Sequence, residues 1–185
     1  MIVISTCRRP TQRISSFVKD LSHSLRSSIM LQRGKMSLGD LEDFATEKGA
    51  DRLLLVNRWH GGPGEIRLRT AKCEGWQDTY PVVYVRSVKL RREYQIRGNF
   101  VAEALTAGQG KIVLDLSRSL STFFDLPVRS DRGSFCSFHV ALDRSARLAV
   151  SLTSPAATRE VGPSFLVQHL RWTEERSEQD EGRKS

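Results

Sequence analysis

The stretch Ile2-Val3-Ile4-Ser5-Thr6-Cys7-Arg8-Arg9-Pro10-Thr11, with Ile14, Phe17, Val18, Leu21 and Leu25 after it, decides the fold class. Ile2 to Thr6 is a short run rich in β-branched residues, the pattern of a buried strand. The five apolar residues that follow recur at steps of three and four, which puts them on one face of a helix. Pro10 suits the first turn of that helix, where its missing N–H costs nothing. A buried strand turning at once into an amphipathic helix opens an α/β fold. The charges of Arg8 and Arg9 come after the apolar start, whereas a signal peptide carries its charge first.

Working outward, Ile29 to Gln32 reads as a second short strand or loop ahead of Arg33-Gly34-Lys35. Ser37 and Asp40 form a capping-box start, and Leu38, Leu41, Phe44 and Ala45 continue a second helix that Gly49 ends. Leu53 to Val56 is a continuous apolar run and fits a buried strand. Gly61 to Gly64 reads as a turn. Glu65 to Lys72 alternates Ile66 and Leu68 against Arg67 and Arg69, and Tyr80 to Leu90 is a further strand. In the second half, Ile112 to Leu116 reads as a strand, Leu120, Phe123 and Phe124 as a short apolar stretch, and residues 135 to 142 and 148 to 153 as a hairpin. Phe165 to Trp172 is the last strand. The openings at Ile2 and Ile112 suggest an internal duplication. The expectation is one body over residues 1–172, with halves 1–95 and 96–172, and a polar tail over 173–185.

Composition narrows the function classes. The 185 residues are 39% hydrophobic, enough for a packed interior, and their longest apolar runs are far too short to cross a bilayer. Cys7, Cys73 and Cys136 give neither a disulfide framework nor a CxxC metal pair. Lys plus Arg exceeds Asp plus Glu by 29 to 21, a net charge of +8. The tail from Thr173 holds three basic and five acidic residues, so the body carries 26 − 16 = +10. Arginine outnumbers lysine 22 to 7. Its planar fork grips phosphates bidentately and stacks on bases, which points to a polyanion partner, RNA ahead of membrane.

Enzyme motifs are incomplete. Cys7 and Arg13 satisfy the C-x5-R spacing of a phosphatase loop, but the intervening residues contain no glycine, and Pro10 removes a donor. Gly108-Gln109-Gly110-Lys111 resembles part of a P-loop, yet Leu105 stands where glycine is needed and Ile112 where Ser or Thr would bind magnesium. A strand, not a helix, is also expected after it. His23, His60, His139 and His169 show no metal-ligand spacing. The basic clusters are the stronger signal. Arg8, Arg9 and Arg13 surround a helix N-terminus, where free N–H groups favour phosphate. Arg33 and Lys35 flank Gly34 in a loop. Arg86, Lys89, Arg91, Arg92 and Arg97 form a second patch around Tyr94, and basic side chains beside an aromatic suit RNA whose bases can stack.

The order of several motifs resembles one known family. Thr6-Cys7-Arg8-Arg9-Pro10-Thr11, the amphipathic helix, Gln32-Arg33-Gly34-Lys35 and the apolar strand running into Asn57-Arg58-Trp59-His60-Gly61 follow the Brix-domain pattern. Glu160-Val161-Gly162-Pro163-Ser164-Phe165 is similar to the family's sigma-factor-like motif, with Gly162 and Pro163 as its structural step. The family usually has arginine where this chain has Ser164. The resemblance runs over roughly residues 1 to 172 and is strongest in the first 70. It implies an α/β fold of two similar halves with mixed β-sheets and flanking helices, each resembling the anticodon-binding domain of class II aminoacyl-tRNA synthetases. It also implies a ribosome biogenesis factor that binds ribosomal RNA precursor and assists its folding and processing without catalysis, in company with other ribosome assembly proteins. The compact chain resembles the single-domain archaeal form, which implies the cytoplasm. No cofactor, metal or membrane is expected, and the oligomeric state is left open. Three other readings stand beside this one: a binding module for tRNA or another structured RNA, a phosphate-handling or RNA-modifying enzyme using Cys7, and a protein-interaction scaffold.

Overall fold

The computed structural model describes residues 1–96, 98–130, 135–155 and 159–173. Ten strands form one mixed sheet. In chain order the elements are β1 (Ile2–Thr6), α1 (Gln12–His23), β2 (Ser28–Leu31), α2 (Leu38–Glu47), β3 (Arg52–Trp59), β4 (Gly62–Lys72) and β5 (Gly75–Lys89). A 3-10 turn (Arg91–Tyr94) leads on to β6 (Ala104–Ala107), α3 (Lys111–Phe124), β7 (Val128–Arg129), β8 (Ser137–Leu142), β9 (Leu148–Ser154) and β10 (Arg159–Arg171). The order across the sheet is β2-β1-β3-β4-β5-β10-β9-β8-β6-β7. It reads alike from both edges about the antiparallel β5–β10 pair. β1 lies parallel between β2 and β3, as β6 does between β7 and β8.

Side-chain alternation along the strands builds two cores. Ile2, Ile4, Leu54 and Val56 point to the face covered by α1 and α3, where Phe17, Leu21, Leu116 and Phe138 are buried with them. Val3, Leu53 and Leu55 point to the other face, against Leu41 and Ala45 of α2. Each such side chain withdrawn from water contributes roughly 1.5–3 kcal/mol. The helix ends follow the local chemistry. The Thr11 hydroxyl accepts from the Ile14 N–H, so α1 begins one residue after Thr11 and Pro10 precedes the cap rather than standing in the first turn. Ser37 and Asp40 form the full reciprocal capping box of α2.

The second half departs from the sequence reading at one decisive place. Ile112 to Leu116 is helical, the start of α3, and the strand in the place of β1 is β6. Val113, Leu116, Leu120 and Phe123 form a buried stripe at helical spacing, while Ile112 and Leu114 are 48% and 42% exposed. The short apolar run thus hid a longer helical period. A helix therefore follows Gly108-Gln109-Gly110, and the argument against a P-loop from an ensuing strand falls. The objections from Leu105 and Ile112 are unaffected. Two smaller boundaries also move. The β3–β4 turn is His60-Gly61, with both residues at positive φ, and Gly62 to Gly64 belong to β4. The last strand begins at Arg159, so Gly162-Pro163 lies inside it, at an irregularity in the β9–β10 pairing. No helix among the described residues is long and apolar enough to cross a membrane.

Candidate nucleic-acid interface

The first basic cluster is assembled by the parallel strands. Because β1, β2 and β3 run in one direction, their carboxyl ends meet at one edge of the sheet. The chain leaves β1 over one face through α1 and returns from β2 over the other through α2. The crevice at such a switch point is where open α/β sheets bind ligands. Arg8 and Arg9 follow β1, Arg33 and Lys35 follow β2, and the N-termini of both helices lie at the same edge. Arg8, Arg9 and Lys35 are exposed. None of the three forms an ion pair among the described residues.

Arg33 is half-buried and its Nε donates to the Met36 carbonyl at 3.1 Å. Burial lowers its pKa from the ordinary arginine value, and the neighbouring Arg8 charge lowers it further. Hydrogen bonds from Ser37, backbone before side chain, hold the Asp40 carboxyl below its usual range, and Arg8 adds to this. Arg8 thus stands within the field of both the second loop and the start of α2. A phosphate at this edge would meet several cations and the positive ends of two helix dipoles, with the Asp40 carboxylate beside the second.

Arg13 is engaged differently. Its guanidinium pairs with Glu93 at 3.1 Å and donates to the Val88 carbonyl at 2.7 Å, tying α1 to the end of β5. Glu93 also accepts from the Leu90 N–H, the leading cause of a carboxyl pKa below its ordinary value, with Arg13 adding to it. Some 43% of the Arg13 side chain stays exposed.

The second cluster divides. Arg86 and Arg92 are exposed. The Lys89 ammonium lies 4.0 Å from the Tyr94 ring centroid. Arg91 donates to the Gly98 carbonyl, lies over the Phe100 ring and offers its backbone N–H to Asp20. Arg97 lies outside the described residues. Tyr94, read from the sequence as an aromatic among cations, is not a free stacking platform. Its hydroxyl shares a 2.6 Å hydrogen bond with Ser164 and donates to Glu160 at 3.2 Å, and burial pushes its pKa upward. Gly162, at φ +71°, lies so close to that ring that a Cβ there would overlap it. Ser164, where the family usually has arginine, is thereby part of a packing contact between β10 and the 3-10 turn. The exposed aromatic at this end of the sheet is Trp59, 66% exposed at the end of β3. Its signal in the sequence was its place beside the turn, where no core position remains.

The other chemical candidates are dispersed. Cys7 is half-buried at the end of β1. His139 shares a hydrogen bond with Thr106, and the His169 ring stacks on Tyr84. No cluster of three or more His, Cys, Asp or Glu that could hold a metal occurs among the described residues.

No protein-family model matches the chain. It is 36% identical over 98 residues to the probable Brix domain-containing ribosomal biogenesis protein of Pyrococcus horikoshii, covering 53% of this chain and 43% of that protein. The Aeropyrum pernix protein of the same description is 38% identical over 90 residues, 49% of this chain and 50% of its own length. The chain spans about half the length of these relatives. In three dimensions the match extends over nearly the whole chain. The crystal structure of a probable ribosomal biogenesis protein from Aeropyrum pernix matches with a TM-score of 0.73 and 25% identity, over 94% of this chain and 97% of that one. Mil, an archaeal Imp4-like protein, shares the fold with a TM-score of 0.66 at 21% identity, over 92% and 99%. Sequence and fold agree in their likeness: the chain is similar to archaeal proteins described as Brix domain-containing ribosomal biogenesis proteins.

Proposed function

We propose that this chain binds ribosomal RNA precursor during ribosome biogenesis and holds its segments in arrangements that favour folding and processing, with no bond made or broken. The observation that carries the reading is the crevice at the ends of β1 and β2. Exposed Arg8, Arg9 and Lys35, without an ion pair among the described residues, gather there with Arg33 beside two helix N-termini. Arg86, Lys89, Arg91 and Arg92 supply a second, partly packed group, and Arg97, outside the described residues, is proposed to act with them. Phosphate contacts of this kind position an RNA without reading its sequence. That suits a chaperone, which must hold a segment and then release it. The description of the archaeal relatives as ribosomal biogenesis proteins supports the same assignment. Other assembly proteins are its expected partners and the cytoplasm its expected place.

The mirrored strand order supports a finer structural reading, in which halves 1–95 and 96–172 repeat one unit of the kind found in anticodon-binding domains. The tail from residue 174 lies outside the described residues. Crosslinking in cells followed by sequencing of the bound RNA tests the function. Enrichment of precursor rRNA is the expected result. Enrichment of tRNA instead, or no RNA above background, would overturn the assignment.

A further inference from the structure

We propose that Trp59 is a stacking platform for an unpaired RNA nucleotide whose phosphate is held by Arg86. The inference rests on the RNA-binding reading above and adds the kind of nucleotide and the place where it sits. Trp59 and Arg86 line one cleft of about 590 Å³, together with Arg13, His60, Pro63 and Gln168. No Asp or Glu among the described residues lines it, and with Arg13 paired to Glu93 its positive charge comes chiefly from Arg86. A second cleft shares Arg86 and Gln168 and continues past Arg147 and Ile112 on the other side of the β5–β10 pair. The cleft therefore opens onto a longer path across the centre of the sheet.

The backbone that carries the platform is set by a tight turn. His60 and Gly61 hold the turn at φ 45° and 85°, a tight two-residue hairpin. Gly64 stands across from Trp59, and a Cβ there would overlap the Cβ of the tryptophan. The His60 ring meets the indole edge-on, with centroids 5.1 Å apart and planes at 89°. A preset backbone lowers the ordering cost on binding, which favours affinity. Neither core includes the indole, which is 66% exposed. Bases stack on such rings in a sequence-tolerant way. A base within a duplex has both faces covered, so the platform selects unpaired nucleotides.

The test uses the full chain, a short fluorescently labelled single-stranded RNA, and the same sequence as a duplex. Trp59→Ala should weaken single-strand binding about 10-fold or more, in line with the loss of one base–aromatic stack. Trp59→Phe should restore most of the affinity, and duplex binding should change little. The salt slope should be unaltered, since the indole releases no counterions. Indole fluorescence should be quenched by the single strand in the wild type, and that component should be missing in Trp59→Ala. Wild-type affinity in Trp59→Ala, or equal weakening for strand and duplex, would overturn the inference. So would unchanged RNA binding with loss of a co-purifying protein, which would make Trp59 a protein contact. In each of those cases, weakened binding by Arg8→Ala and Arg9→Ala would leave the RNA-binding reading standing. If the wild type bound no RNA at all, both would fall.

Discussion

Replacing Gly162 by alanine should unpack the junction between β10 and the 3-10 turn. The residue sits at φ +71°, a region that costs an L-residue with a Cβ about 1–2 kcal/mol. An added Cβ would lie 2.5 Å from Cδ2 of Tyr94 and 3.3 Å from the Arg91 Cα. Tyr94 cannot retreat cheaply. Its hydroxyl is bonded to Ser164 and Glu160, and its ring lies beneath Lys89. Overpacking of this kind costs about 1–3 kcal/mol. Together the two effects come to roughly 2–5 kcal/mol, a large share of the ~5–15 kcal/mol that stabilises a typical domain. In a chain of this size that lowers Tm by roughly 5–20 °C. Urea denaturation should show a lower midpoint at an unchanged slope. The steric share can be isolated by repeating Gly162→Ala in a Tyr94→Ala background, where a coupling of about 1–3 kcal/mol is expected and only the backbone cost remains. A single-mutant loss below about 0.5 kcal/mol, or zero coupling, would refute the account, because it would mean that the ring does not confine this glycine.

The other expected outcomes concern the cations and one carboxylate. Arg8→Ala, Arg9→Ala and Lys35→Ala combined should leave the circular dichroism spectrum unchanged and flatten the log–log salt dependence of RNA binding by about 2–3 units, and an unaltered slope would remove this crevice from the binding surface. Arg13→Ala should lower stability by about 1 kcal/mol through loss of the Glu93 and Val88 contacts, discounted for exposure. A full unit of lost salt slope without loss of stability would make Arg13 a phosphate contact instead. Glu93 has a folded pKa below its ordinary value of 4.5, so its contribution is present above that pH and is lost as pH falls through the lower folded value. Glu93→Gln should therefore destabilise the protein near neutrality and flatten the acid limb of its stability–pH curve below about pH 4.5, and parallel curves for wild type and variant would contradict this.

The elements of the first half could be read one by one, because each carries a local signal. Ile2 to Thr6 has its apolar run, α1 its stripe, α2 its capping box and Leu53 to Val56 its continuous hydrophobicity. Ile112 to Leu116 misled because a short run with four apolar residues in five fits a strand and a helix turn equally well. The deciding residues, Leu120 and Phe123, lie beyond that window. Among the candidate site residues, Arg8, Arg9, Arg33 and Lys35 are legible as local charge beside turns. The commitment of Arg13 to Glu93 spans eighty positions and leaves no local trace. The same holds for Tyr94, whose partners Glu160, Gly162 and Ser164 lie some seventy residues away on another strand.

By itself, then, the sequence determined the strand–helix alternation of the first half, the excess of arginine and its place in loops. Periodicity, capping and charge are properties of neighbours along the chain. The tertiary structure alone decided which arginines are available to a ligand and which are already engaged. It also moved the exposed aromatic from Tyr94 to Trp59 and joined both halves into a single sheet through the β5–β10 pair. Strand pairing and ion pairing are settled by distance in space, and the parallel alignment of β1, β2 and β3 is what brings Arg8, Lys35 and Trp59 to the same edge.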